Sequence, residues 1–352
     1  MDEGVEIEDT DELFDEQLIT VDPGQAPLRI DRYLMYRITK LSRSKIQKGI
    51  AQGLIKVNGQ VVKANYKVQP ADDIIVRYPR YDDSEKELVP EAMDLDIAYE
   101  DEHLLVVNKP VGLVVHPGIS NWRGTLVNGL LHHVGHRVIP SLEGNPPNRP
   151  GLVHRIDKNT SGLLVIAKDA ESLTHLAKQF FDHTIDRQYL ALVWGQPQQE
   201  EGTIDRFLGR DPKDPTRQTV FEDGESGKRA ITHYHIVEPL YYVSLVRCWL
   251  ETGRTHQIRI HFKSLGHPLF GDEKYGGDRI MKGTIFQKYR QFVQNCLRMM
   301  PHQALHATYL AFDHPISGKR LQFEVPPPEN FTNVLKKWRQ YVSTRRDKRD
   351  LL

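Results

Sequence analysis

Between about residues 93 and 328 the chain is cut into short apolar runs by glycine- and proline-rich turns, with few stretches of helical period. Runs of four or five apolar residues between turn signals are strand material. Residues 104–107, 163–166, 189–193, 242–246 and 258–261 are the clearest. Residues 170–181 place Leu173, Leu176, Ala177 and Phe180 on one helical face. Many strands with scattered helices predict an α+β sheet domain over 93–328. After Pro326-Pro327-Pro328, the spacing of Phe331, Val334, Leu335 and Trp338 predicts a further helix, and 329–352 ends in a basic tail, Arg345-Arg346-Asp347-Lys348-Arg349.

The 352 residues leave room for a smaller domain in front, and residues 17–78 supply it. Leu28, Ile30, Tyr33 and Leu34 open a helical pattern, and Ser42 is placed to cap a second helix that ends near Gly49 or Gly53. Two short apolar runs then flank Asn58-Gly59, a dipeptide that suits the positive φ angles of a tight hairpin turn. Lys67-Val68 and Ile74-Ile75-Val76 read as further strand. Residues 79–92 are polar and proline-flanked, so they read as a linker; 1–16 are highly charged without an apolar face and read as a disordered acidic tail.

A formal net charge of zero hides an asymmetry. The first 27 residues carry ten carboxylates and no Lys or Arg, which leaves 47 basic against 37 acidic residues from 28 onward. A polyanion-binding body with an acidic tail and a merely solubilising distribution both fit that balance. Within 28–76 the excess is concentrated, at ten Lys or Arg against Asp31, Asp72 and Asp73. Seven net charges on so small a unit form a footprint for phosphate. No run of eighteen apolar residues occurs, and the acidic N-terminus lacks the pattern of a secretory signal. Cys248 and Cys296 have no metal-type spacing. A cytoplasmic protein with reduced thiols is expected.

Two dense polar inserts interrupt the apolar runs. In residues 149–168, Asn159-Thr160-Ser161-Gly162 is turn chemistry, so His154-Arg155-Ile156-Asp157-Lys158 falls at a strand end, where functional side chains are displayed. Asp157 stands between Arg155 and Lys158, whose charges favour a carboxylate; taken alone, an Asp at a turn is more often a capping or turn residue. Residues 250–261 form the second insert. At a strand's period of two, Arg254, His256, Ile258 and Ile260 share a face. A cation there would hold a nearby carboxylate by a bidentate pair; alone, Arg254 reads as a surface salt-bridge partner.

Together these segments resemble the RluA/RluD family of pseudouridine synthases. Residues 149–168 resemble its HRLD-type signature, with Ile156 where Leu is usual; 101–118 resemble its first motif and 250–261 its third. His302-Gln303-Ala304-Leu305-His306-Ala307 and Phe323-Glu324-Val325-Pro326 also fit. Residues 41–46 and 53–59 are similar to the S4 RNA-binding domain. The likeness spans about 17 to 328. It implies an S4-type domain followed by a mixed, largely antiparallel β-sheet catalytic domain that isomerises uridine in large-subunit ribosomal RNA. D-type specificity, at the helix 69 stem-loop, comes first and C-type specificity second. Asp157 would be the catalytic aspartate, Tyr189 the acceptor of the C5 proton, and Arg254 the partner of Asp157. Arg155, with His154 as rival, would fill the stack left by an extruded uridine. Arg29, Arg32, Arg43, Ser44, Lys45, Lys48 and Lys56 would meet RNA.

Pseudouridine formation breaks the C1′–N1 bond, turns the uracil and rejoins it through C5, without redox change. No cofactor, no metal and no membrane partner are expected, and a monomer is the default. A non-catalytic ribosome-assembly factor is one rival. A nucleoside hydrolase is another, but its second carboxylate is not identifiable. His302 and His306 have the spacing of metal ligands on a helix, with nothing to complete the set. Asn108-Lys109-Pro110-Val111-Gly112 lacks the phosphate-loop pattern, and by the resemblance it is an active-site wall.

Overall fold

The computed structural model describes residues 14–38, 41, 43–79, 88–118, 121–135, 139–142, 149–214, 216–224, 226–283 and 286–349. They fall into two units, divided between Glu87 and Leu88.

In the first unit, strand β1 (Phe14–Thr20), helices α1 (Ile30–Arg37) and α2 (Arg43–Ala51), and strands β2 (Ile55–Val57), β3 (Gln60–Val61) and β4 (Asp73–Pro79) follow in order. The sheet runs β1-β4-β2-β3 with antiparallel neighbours. Ile30, Leu34, Ile46, Ile55, Ile74 and Val76 form a core between helices and sheet. The hairpin turns at Asn58 and Gly59, both at positive φ, and Asn58 Nδ2 donates to Asp72 Oδ1 at 2.8 Å. The expected acidic tail is shorter than 1–16: Glu16 already sits in β1 opposite Arg77, its carboxylate 3.0 Å from the guanidinium. The edge of β4 supplies the hydrogen bonds that a solvated tail would otherwise take from water. Residues 1–13 and Ser42 lie outside the described residues. Lys67 makes only an isolated bridge to Arg29.

The second unit is built on β5 (Ile97–Glu100), β6 (Leu104–Lys109), β7 (Ser161–Ala167), β8 (Asp186–Trp194), β9 (Glu201–Arg210), β10 (Gln218–Phe221), β11 (Lys228–Leu240), β12 (Val243–Leu250), β13 (Leu305–Asp313) and β14 (Arg320–Glu324). Among the described residues they form one mixed sheet, β10-β9-β11-β12-β8-β13-β7-β6-β5, with β14 on β13. All described pairings are antiparallel but β13 with β7. Helices α3 (Leu126–Val134), α4 (Ala170–Phe181), α5 (Gln257–Ser264), α6 (Gln287–Met299) and α7 (Glu329–Arg349) cover it. Alternate residues of β6 and β7 feed opposite cores. Leu105, Val107, Leu164 and Ile166 join one with α3, while Leu104, Val106, Leu163 and Val165 join another with α4. Burial on both faces explains the unbroken apolar runs.

Three expectations are corrected here. Residues 88–92 are no linker: Asn128 Nδ2 donates to the Val89 carbonyl at 2.8 Å and Glu91 N–H to the Asn128 carbonyl, which ties them to α3. The final helix is part of the unit, because Phe331, Val334 and Trp338 are buried with Trp194 and Phe270. Residues 258–261 are helix, not strand. All of Gln257 to Phe262 are buried, polar and apolar alike, so this stretch of α5 turns no face to solvent and its period is masked.

The parallel contact positions the site. Gly162 lies against Ala307, which in turn lies against Tyr189. A Cβ on Gly162, at φ +113°, would meet the Ala307 carbonyl oxygen at 2.1 Å. Glycine therefore lets the start of β7, just past Asp157, come up beside β13.

Candidate active site

Asp157 stands four residues before β7, where the chain turns so that Thr160 N–H donates to its carbonyl at 3.0 Å. The next carbonyl, that of Lys158, accepts from Lys109 Nζ at 3.0 Å and from Gly112 N–H. Lys109 is buried and also donates to the Pro110 and Leu113 carbonyls at 2.8 and 2.9 Å. Burial pulls its pKa down to about 7, against the charge of Asp157. One ammonium thus staples the 109–113 loop to the backbone behind the aspartate.

The side chain of Asp157 is 18% exposed and accepts from Arg259 Nη1 at 2.8 Å through Oδ2. Arg259 projects from α5, and buried Asp272 grips its Nε and Nη2 at 2.7 and 2.9 Å. The ring of Tyr275 lies 4.9 Å from the guanidinium carbon. Burial opposes the charge on Arg259, but Asp272 and then Asp157 outweigh it and raise its pKa above the ordinary arginine value. Asp272 takes two of the three prongs and leaves Nη1 aimed at Asp157.

His256 caps α5 in the left-handed region at φ 57°. Its Nδ1 is 2.6 Å from the Tyr275 hydroxyl, which accepts from Gln218 N–H at 3.0 Å. The ring is thereby fixed with its other nitrogen, Nε2, 3.9 Å from Asp157 Oδ2. Burial pulls His256 down to about 4 and pushes Tyr275 up to about 12. Both side-chain contacts of Asp157 fall on Oδ2; among the described residues nothing hydrogen-bonds to Oδ1. A small cleft opens beside it, with Thr160, Tyr189 and Leu250 in its walls. A carboxylate anchored at one oxygen and open at the other can attack or stabilise an electron-poor carbon.

The profile of the RNA pseudouridylate synthase family matches residues 103–264, and that of the S4 domain matches 28–74. An uncharacterized RNA pseudouridine synthase of Chlorobaculum parvum is 44% identical over 92% of this chain and 98% of its own. Another from Bacillus subtilis is 43% identical over 92% and 98%. The ribosomal large subunit pseudouridine synthase D of Zymomonas mobilis is 42% identical over 88% and 93%. The chain belongs to the RNA pseudouridine synthase family. It is an isomerase with an S4 domain in front.

For a pseudouridine synthase, one expected pair is wrong: the guanidinium on Asp157 is that of Arg259, not Arg254. Arg254 lines the cleft, with Nε donating to the Arg229 carbonyl at 3.2 Å. The strand expectation aimed Arg254 inward; the helix that begins at Gln257 turns Arg259 inward instead. A charge between Ile258 and Ile260 was the available signal, because buried charges demand partners. Asp272 and Tyr275 had no such signal.

Tyr189 lines the cleft at 6% exposure. Burial raises its pKa, Arg187 opposes and Asp157 adds to the rise. It therefore stands as a phenol rather than a ready base. Arg155 is exposed at the cleft, its Nη1 3.4 Å from His116 Nε2. His154 is a strut: Nε2 accepts from Val165 N–H at 3.0 Å and the ring packs 4.5 Å from Phe180. That anchorage removes it as a rival to Arg155.

In the S4 domain, Arg29 and Arg43 both bond to buried Asp31, at 3.0 and 2.9 Å, with Gln47 at 2.7 Å. Arg43 thus crosslinks α2 to α1, and Arg29 braces Asp31 at the start of α1, though each keeps about two fifths of its side chain exposed. Arg32, Ser44, Lys45, Lys48 and Lys56 are exposed. His302 and His306 do not share a helix. His306 lies on β13 with Nδ1 2.9 Å from Ser161 Oγ, and His302 lies in the preceding segment.

Proposed function

We propose that this synthase converts uridine in large-subunit ribosomal RNA, at the helix 69 stem-loop, with Asp157 as the catalytic carboxylate acting on an extruded nucleotide. The observation that carries the reading is the Asp157–Arg259–Asp272 relay at a cleft that Tyr189 also lines. The carboxylate meets C1′ as the bond to N1 breaks, either as nucleophile or as counter-charge to the sugar. Uracil, released as an anion, then turns; C5 bonds to C1′ as any Asp157 ester bond breaks; the C5 proton passes to a base or to water, and N1 takes up a proton from water. Tyr189 borders that space. Arg155, exposed and planar, suits the stack that the uridine vacates. Choice of RNA rests on the relatives: enzymes of Zymomonas mobilis, Nitrosomonas europaea and Xylella fastidiosa bear the name ribosomal large subunit pseudouridine synthase D.

Asp157→Asn should abolish pseudouridine in a ribosomal RNA transcript while RNA affinity holds; residual turnover near wild type would remove Asp157 from the chemistry. Mapping pseudouridine in ribosomal RNA from cells with and without the gene tests the site. Loss at helix 69 is expected, and loss elsewhere in the large subunit would point to C-type specificity.

A further inference from the structure

Next to the Asp157 cleft runs a groove of about 620 Å³, and Arg155, Arg187 and Arg254 line both. Arg149 adds a fourth guanidinium. Elsewhere in this unit Arg229, Arg259, Arg320 and Arg339 each meet a carboxylate. None of the four groove arginines has an ion pair among the described residues. Glu251 also lines the groove, but it is bonded to His233 at 2.7 Å.

The groove guanidiniums are nonetheless held in place. Arg187 lies 5.1 Å over the Phe180 ring, and Arg254 is braced by the Arg229 carbonyl. The Nε atoms of Arg149 and Arg187 are buried without a hydrogen-bond partner. Burial and the charge of Arg155 lower the pKa of Arg149. Fixed, crowded guanidiniums that outnumber the lining carboxylate Glu251 four to one form a site for an anion that arrives from outside. Phe181, 82% exposed, stands at the same groove. Guanidiniums beside an open aromatic face fit a single nucleic-acid strand, whose phosphates and bases they meet in turn.

We propose that Arg149, Arg187 and Arg254 form a subsite for backbone phosphate of the unpaired RNA strand flanking the target uridine, with Phe181 as the stacking face for a neighbouring base. The proposal rests on the RNA-modifying reading above. It gives Arg254 a role that the expected pairing with Asp157 did not.

Filter binding of labelled oligouridine to the full-length protein over a series of KCl concentrations tests it. Arg149→Gln, Arg187→Gln and Arg254→Gln should each lower the log–log salt slope by about 0.7, the value for one neutralised phosphate on a single strand. Arg187→Lys, which keeps the charge, should restore most of the slope. Phe181→Ser should weaken binding roughly fivefold or more at an unchanged slope. Arg339→Gln, whose charge is spent on Glu238, should change nothing. Unfolding midpoints identify any variant that fails to fold, and the remaining variants then decide. Wild-type slopes in all three glutamine variants, or an equal drop in Arg339→Gln, would overturn the proposal. So would displacement by inorganic phosphate beyond that by chloride at equal ionic strength, which would make the groove a free-anion site. Binding needs no turnover, so failure of the groove and failure of the reaction appear in different assays.

Discussion

Arg259 holds two carboxylates at once, and the two have different tasks. Asp272 is buried and fixes the guanidinium; Asp157 is partly exposed and receives the prong left over. Removing one partner of a buried pair leaves the other charge uncompensated, at about 3–5 kcal/mol. Arg259→Gln and Asp272→Asn should each lower unfolding stability by that order in urea titrations. The double change Arg259→Gln with Asp272→Asn should cost less than the sum of the two single changes, and strict additivity would show that the charges do not interact. Histidines set the acid limit. Burial pulls His154 down to about 3 and both His256 and His261 down to about 4. Unfolding returns each to near 6.5, so below that pH the unfolded chain binds protons that the folded chain refuses. Stability is full above pH 6.5 and falls as pH drops toward 4, by about 2 kcal/mol per histidine at pH 5. Urea midpoints measured from pH 7 to pH 5 should fall steadily; a flat profile would mean that these rings take protons in the folded state.

At the scale of elements, the site depends on two close approaches. Gly162 permits the parallel contact of β7 with β13. Gly162→Ala should cost more than about 3 kcal/mol, because strain at φ +113° adds to a clash with the Ala307 carbonyl. Thermal melting checks it, and a wild-type midpoint would show that the strands can part. Lys109 makes the second approach by gathering three carbonyls. Lys109→Met leaves these acceptors without their donor, at about 3 kcal/mol in total, and frees the Lys158 backbone next to Asp157. Single-turnover rates should fall further than RNA affinity; a wild-type rate would show that the staple does not position Asp157. Helix α5 shows why elements were only partly legible. Alternating Ile258 and Ile260 matched a strand, and nothing local marks a helix whose first six residues are all buried. Strands β9 and β11 are half-exposed and rich in polar residues, so their apolar alternation is faint.

For the whole molecule, charge is divided by position along the chain. The S4 domain carries a basic excess, yet part of it is spent on Asp31. Arg43→Ala should therefore destabilise this domain as well as weaken RNA binding. Lys48 and Lys56 are exposed and carry no such duty. Lys48→Gln with Lys56→Gln should lower the salt slope for duplex RNA by about 1.8 with the fold intact. An unchanged slope in filter binding would move RNA affinity to the catalytic unit.

Local chemistry was enough to read the hairpin at Asn58-Gly59, the strands β6, β7, β8 and β12, the helices α4 and α7, and the placing of Asp157 at a strand end. Each rests on neighbours within a few residues, so periodicity and turn preference carry it. Arg259 rather than Arg254 on Asp157, Asp272 behind it, and four guanidiniums along one groove with no ion pair among the described residues were decided by the tertiary structure alone. They join residues from about ten to more than a hundred positions apart, and which charges meet depends on where buried segments cross, a property that no stretch of sequence holds by itself.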